Sequence, residues 1–120
     1  MRRLWIGLGA VAGLTATMMA ALSAHAFNSL EPHGRAMIAS AVQMQGWHAL
    51  ALIGTGLWAP QGGRLADAAG FALTAGLLLF CGAVYGIALT GAALGGVAPI
   101  GGSLLMLGWG LLAVSAWRAA

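Results

Sequence analysis

The residues best suited to chemistry lie within apolar stretches. Ala41, Gln45, His48, Leu52 and Thr55 follow the i, i+4, i+7, i+11, i+14 spacing that stacks side chains on one face of a helix. Gln45 and His48 are thus neighbours on that face, and hydrogen-bonding groups inside an apolar helix should turn away from lipid. Further along, Thr74, Cys81 and Tyr85 share a second face, and His25 closes the first apolar run. These positions predict a hydrogen-bonded cluster of His25, Gln45, His48 and Tyr85 in the outer half of a helical bundle. Its chemistry would be a proton relay, a ligand pocket or a metal or haem site. The simpler use is interhelical bonding, worth about 0.6 to 2 kcal/mol per bond.

A metal centre is poorly provided for. Met44 and His48 sit one helical turn apart and offer a soft and an imidazole donor, but no carboxylate accompanies them. No metal and no cofactor is therefore expected. Cys81 has no base or charged partner near it in sequence and reads as a small packing residue. It also lacks a second cysteine for an intrachain disulfide. No catalytic dyad is recognisable, so enzymatic activity is not expected.

The elements that must position these groups follow from composition. Of 120 residues, 61% are hydrophobic and 6% charged, with a mean hydropathy of +0.93. A soluble domain carries about 25% charged residues, so this surface suits lipid. Four apolar segments, 4–24, 38–58, 68–89 and 100–117, are each about 20 residues long, enough to cross a hydrocarbon core of about 30 Å. They lack the alternation of barrel strands, which leaves helices as the spanning structure. The expectation is an all-α polytopic membrane protein, a four-transmembrane-helix bundle forming a single membrane domain over residues 1–120. The breaks fall at 27–37, 59–67 and 90–99.

The first segment also resembles a secretory leader: Arg2 and Arg3, an apolar run, then Ala24-His25-Ala26 as an A-x-A site. Cleavage there would leave three spans starting near Phe27. The apolar run of about 20 residues exceeds the usual leader core of about 7–15, which favours an uncleaved first helix.

The five arginines set the orientation. Arg2, Arg3, Arg64 and Arg118 fall on one side of a four-span chain and Arg35 on the other, so both termini should be cytoplasmic. The formal charge of +3 is scattered at segment edges rather than gathered on a face, which argues against nucleic acid as a partner. The predicted partners are the lipid bilayer and a membrane-protein partner or a second copy of the chain. Trp5, Trp58 and Trp117 mark the cytoplasmic interface in this reading, while Trp47 and Trp109 lie within spans as packing residues. Glu31 and Arg35 form at most an exposed loop pair of little energetic weight, and His33 beside them is a wet surface histidine. Twenty glycines permit close helix approach, and Gly9/Gly13 and Gly82/Gly86 give two G-x-x-x-G faces.

Several motifs in order resemble one family. They are Ala24-His25-Ala26, Gln45-x-x-His48-Ala49-Leu50-Ala51-Leu52, Phe80-x-Gly82-x-x-Tyr85 through Thr90-Gly91, and Pro99-x-Gly101-Gly102 through Gly108-Trp109. Together they look like the family called domain of unknown function 423, small bacterial inner-membrane proteins similar also to eukaryotic transmembrane protein 256. The resemblance covers nearly the whole chain. It implies four helices with an uncleaved first one, and it places His25, Gln45, His48 and Tyr85 at the family's motif positions. Met44 departs from the pattern, which often has an aromatic residue there. The family brings no established activity. The functional expectation is therefore a structural or accessory component of the inner membrane. The alternative is a small transporter or channel subunit using His48, since the predicted spans contain no Asp or Glu.

Overall fold

The computed structural model describes residues 1–119. It contains α1 (Arg2–His25), α2 (Pro32–Thr90) and α3 (Val97–Ala119), with no strand among the described residues. All three helices are long and apolar enough to cross a membrane. The all-α reading therefore stands, but the expected four helices become three. Residues 59–67, read as a loop from Pro60, Gly62 and Gly63, are helical except at one position. Gly63 has φ 60° and ψ −142°, a conformation essentially confined to glycine.

That single residue reverses the chain. A straight helix of 59 residues would measure about 88 Å, whereas the molecule is 50 Å in its longest dimension. Residues 32–62 and 64–90 are accordingly two arms lying side by side, the first and second arms of α2. The Cys81 thiol donates to the Ala41 carbonyl at 3.5 Å, and the Tyr85 hydroxyl to Gln45 Oε1 at 2.7 Å. The other boundaries have ordinary causes. Pro32 opens α2 in its first turn, and Gly91, at φ 70° and ψ 16°, closes it with its N–H on the Ile87 carbonyl.

α1 and α3 occupy opposite grooves of the α2 hairpin, and no pair of their Cα atoms approaches within 8 Å. The result is a flat molecule, 27 by 17 Å across its shorter axes. Contacts also fix which ends lie together. Trp5 bonds Asp67 and Trp58 bonds Ser115, so the start of α1, the end of α3 and the Gly63 reversal share one pole with Arg2, Arg3, Arg64 and Arg118. Arg35 lies at the other pole.

The core is thin and built from small residues, among them Ala41, Ala49, Ala66 and Ala69. Little hydrophobic force joins helices in lipid, so contact area must come from close backbone approach. A Cβ on Gly9 would stand 2.7 Å from the Ala49 carbonyl oxygen, and one on Gly76 would stand 2.8 Å from that of Gly101. The seams differ from those expected. Gly13 makes only ordinary contact, and a side chain at Gly82 would meet nothing within 4 Å. Contact instead runs through Gly56, Gly70, Gly76, Gly101 and Gly108, glycines whose spacing does not follow the simple motif.

The tryptophans also depart from expectation. Trp5 is buried, 1% exposed, stacked edge-on to Phe71, and its indole donates to Asp67 at 2.8 Å. It is a core residue rather than an interface marker, because Asp67 lies on the helix and not in a loop. Trp47, expected to pack, is exposed.

Candidate functional site

The face predicted on the first arm is buried: Ala41, Gln45, His48, Leu52 and Thr55 all point inward. Gln45 is its most connected member. Its amide nitrogen donates to the Ala12 carbonyl at 3.0 Å and to Thr15 Oγ1 at 2.6 Å, both on α1. Its Oε1 accepts from Tyr85 on the second arm. One side chain thus ties three helical segments.

His48 turns elsewhere. Three residues along a helix leave about 60° between side chains, enough to aim His48 at α3 while Gln45 faces α1. Its Nδ1 lies 2.6 Å from the Met44 carbonyl, and the Trp109 indole donates to Nε2 at 3.0 Å. A carbonyl only accepts and an indole only donates, so these contacts match the tautomer in which Nδ1 donates and Nε2 accepts. Both nitrogens are occupied.

His25 stands apart. It is exposed at the end of α1, beyond the turns that carry Thr15 and Met19, and its carbonyl accepts from Asn28 at 3.4 Å. Of the four residues grouped from sequence, Gln45 and Tyr85 are joined, His48 faces the opposite groove, and His25 lies at the surface. Thr15 and Trp109 complete these interactions, while Trp5 and Asp67 form a separate pair. Nothing in one sequence indicated which segments would pair, and that pairing is what recruits them.

No grouping of three or more His, Cys, Asp or Glu side chains suited to a metal occurs among the described residues. Met44 contributes its backbone carbonyl to His48 rather than joining it as a ligand.

A cavity of about 480 Å³ lies between α1 and the second arm. Thr15, Gln45, Thr74 and Tyr85 supply its polar atoms within an otherwise apolar lining, and Val11 and Leu78 on its rim are exposed. Thr74 Oγ1 is the one buried side-chain polar atom without a partner among the described residues. A buried unpaired hydroxyl costs about 1–3 kcal/mol. Thr74→Val, which keeps the shape, is expected to raise stability by about 1 kcal/mol, visible as a higher thermal midpoint in detergent. A lower midpoint would mean that the hydroxyl has a partner.

The His48 tie has its own measurable consequence. His48→Ala is expected to cost about 1–3 kcal/mol and Trp109→Phe less. A double-mutant cycle should return a coupling of about 0.6–1.7 kcal/mol, the range for intramembrane hydrogen bonds. Additive losses would show that the two side chains do not interact.

A family model described as a protein of unknown function, DUF423, matches residues 19–102, which include Gln45, His48 and Tyr85. A UPF0382 membrane protein of Staphylococcus aureus is 31% identical over 120 residues, covering 98% of each chain. One from Staphylococcus haemolyticus is 32% identical over 118 residues, covering 97% of each. One from Haemophilus influenzae is 26% identical over 121 residues, covering 99% of this chain and 98% of that one. No solved structure matches. With the family model spanning well over half its length and full-length relatives above 30% identity, this chain belongs to the DUF423 family of proteins of unknown function.

Proposed function

We propose that this protein is a structural or accessory component of the bacterial inner membrane, without catalytic activity. In this reading it crosses four times, with both arms of α2 counted as spans and both termini in the cytoplasm. The observation that carries the accessory role is the use of its interior polar groups. Gln45, Tyr85 and His48 all bond neighbouring segments, so they hold the bundle together rather than presenting reactive atoms. Broad apolar faces remain exposed, including Leu50, Met106 and Trp117, which suits lipid and a membrane-embedded partner. The arginines at the pole shared by the termini and the Gly63 reversal support a cytoplasmic placement of that pole. The contribution of Trp5 to the core supports retention of the first helix.

The transport alternative has less support, since both His48 ring nitrogens are engaged in hydrogen bonds within the bundle. Mild solubilisation followed by native gel electrophoresis and mass spectrometry tests the accessory role. A stable stoichiometric complex is expected. A monodisperse monomer together with pH-dependent flux in proteoliposomes, abolished by His48→Ala, would overturn it. A carboxy-terminal reporter active only in the periplasm would reverse the orientation.

A further inference from the structure

The cavity between α1 and the second arm has the features of a ligand site. Its residues run from Leu8 to Met19 on α1 and from Thr74 to Tyr85 on the second arm. Eleven helical rises on each side make it an elongated slot about 16 Å long. The exposed Val11 and Leu78 on its rim lie in the middle portions of their segments. The slot therefore opens sideways at the depth of lipid chains, and only molecules dissolved in the bilayer reach it. Its volume of about 480 Å³ falls within the range of small-molecule sites, about 300–1,000 Å³.

Three of the four polar residues, Thr15, Gln45 and Tyr85, are gathered toward one end, and Thr74 stands alone at the other. Tyr85 donates to Gln45 Oε1, which leaves the lone pairs of the Tyr85 oxygen and one on Oε1 able to accept. Tyr85 is also close to the Thr90 end of α2, toward a membrane face. No Arg, Lys, His, Asp or Glu lines the slot, so nothing there would compensate a charged headgroup. The geometry points to a binding site for a neutral single-chain amphiphile, a fatty alcohol or protonated fatty acid. Its hydroxyl proton is donated to the Gln45–Tyr85 pair, and its chain runs along the slot toward Leu52 and Thr74. This inference rests on the membrane-spanning reading above and goes beyond the accessory role.

The test uses the full chain in proteoliposomes with a photoactivatable fatty acid, followed by peptide mapping. Crosslinks are expected in the Leu8–Met19 and Thr74–Tyr85 peptides, competed by an alkanol of equal chain length but not by the matching alkyltrimethylammonium. Gly82 lines the slot and has open space around an added Cβ, so Gly82→Leu should fill it and abolish these crosslinks with the thermal midpoint preserved. Gly110→Leu, which adds a side chain in open space on α3, should change nothing. Tyr85→Phe should weaken alkanol competition about fivefold, the factor for one hydrogen bond. Crosslinks spread evenly over all helices and indifferent to Gly82→Leu would overturn the site. Equal competition by the cationic amphiphile, or equal labelling by a photoactivatable phosphatidylcholine, would overturn the neutral single-chain ligand. Loss of the protein from alkali-washed membranes would instead refute the membrane reading itself.

Discussion

Gly101→Leu should detach α3 from the rest of the molecule. A Cβ at this position meets the backbone nitrogen and Cα of Phe80 and stands 2.8 Å from the Gly76 carbonyl oxygen. These obstacles are backbone atoms of an intact helix, so no side chain can rotate aside, and the larger leucine would force the two segments apart. Overpacking of this kind costs about 1–3 kcal/mol and occasionally more. Here the upper part of that range is expected, because separation also breaks the Trp109–His48 and Trp58–Ser115 bonds. The measurement is the thermal midpoint in detergent together with proteolysis of the segment after Gly91. A leucine variant with wild-type resistance would mean that the Gly76–Gly101 approach is looser than described.

The reversal at Gly63 gives the second large effect, by a different mechanism. A Cβ there has nothing within 4 Å, so crowding does not explain the glycine. The backbone, at φ 60° and ψ −142°, does. An L-residue in such a region costs about 1–3 kcal/mol, and Gly63→Ala is expected to destabilise by about that amount. A β-branched residue, Gly63→Val, should cost more. Because the penalty is one of handedness, a semisynthetic protein with D-alanine at this position should retain wild-type stability. Equal losses with both enantiomers would point to a steric cause. Failure at this position would also unpair the two arms, so loss of the Tyr85–Gln45 contact should accompany it.

The helical character of the chain and the inward face of its first α2 arm were legible in the sequence. Both depend on local quantities: runs of apolar residues long enough to cross a bilayer, and a 3.6-residue repeat along one element. The break between the second and third apolar segments was legible as a change of direction but not in its form. Pro60, Gly62, Gly63 and Arg64 have the composition of a loop, and nothing in that composition distinguishes a loop from a helix reversed at one glycine. The glycine seams were hidden for a related reason. A G-x-x-x-G pair reports only that two glycines share a face, while contact depends on what lies opposite, and opposite Gly82 there is open space.

The candidate site divided along the same line. Gln45 and Tyr85 were recognisable as polar residues within apolar segments, but their union requires the arms to lie side by side, a long-range fact. His48 was placed with them by helical proximity. The 60° that separates it from Gln45 proved enough to send it to another neighbour. Trp5 shows the converse: its position at a segment end suggests the interface, yet Asp67 lies within reach and draws its indole inward.

No Cα atom of α1 comes within 8 Å of one in α3, and each of these helices packs along the α2 hairpin between them. The protein is therefore a central spine carrying two flanks that have no direct knowledge of each other. A defect in one flank has no direct path to the other, and losses from Gly9 and Gly101 variants should sum, as they do for distant independent sites. Each side of the spine is free to acquire a ligand or a partner without disturbing its opposite.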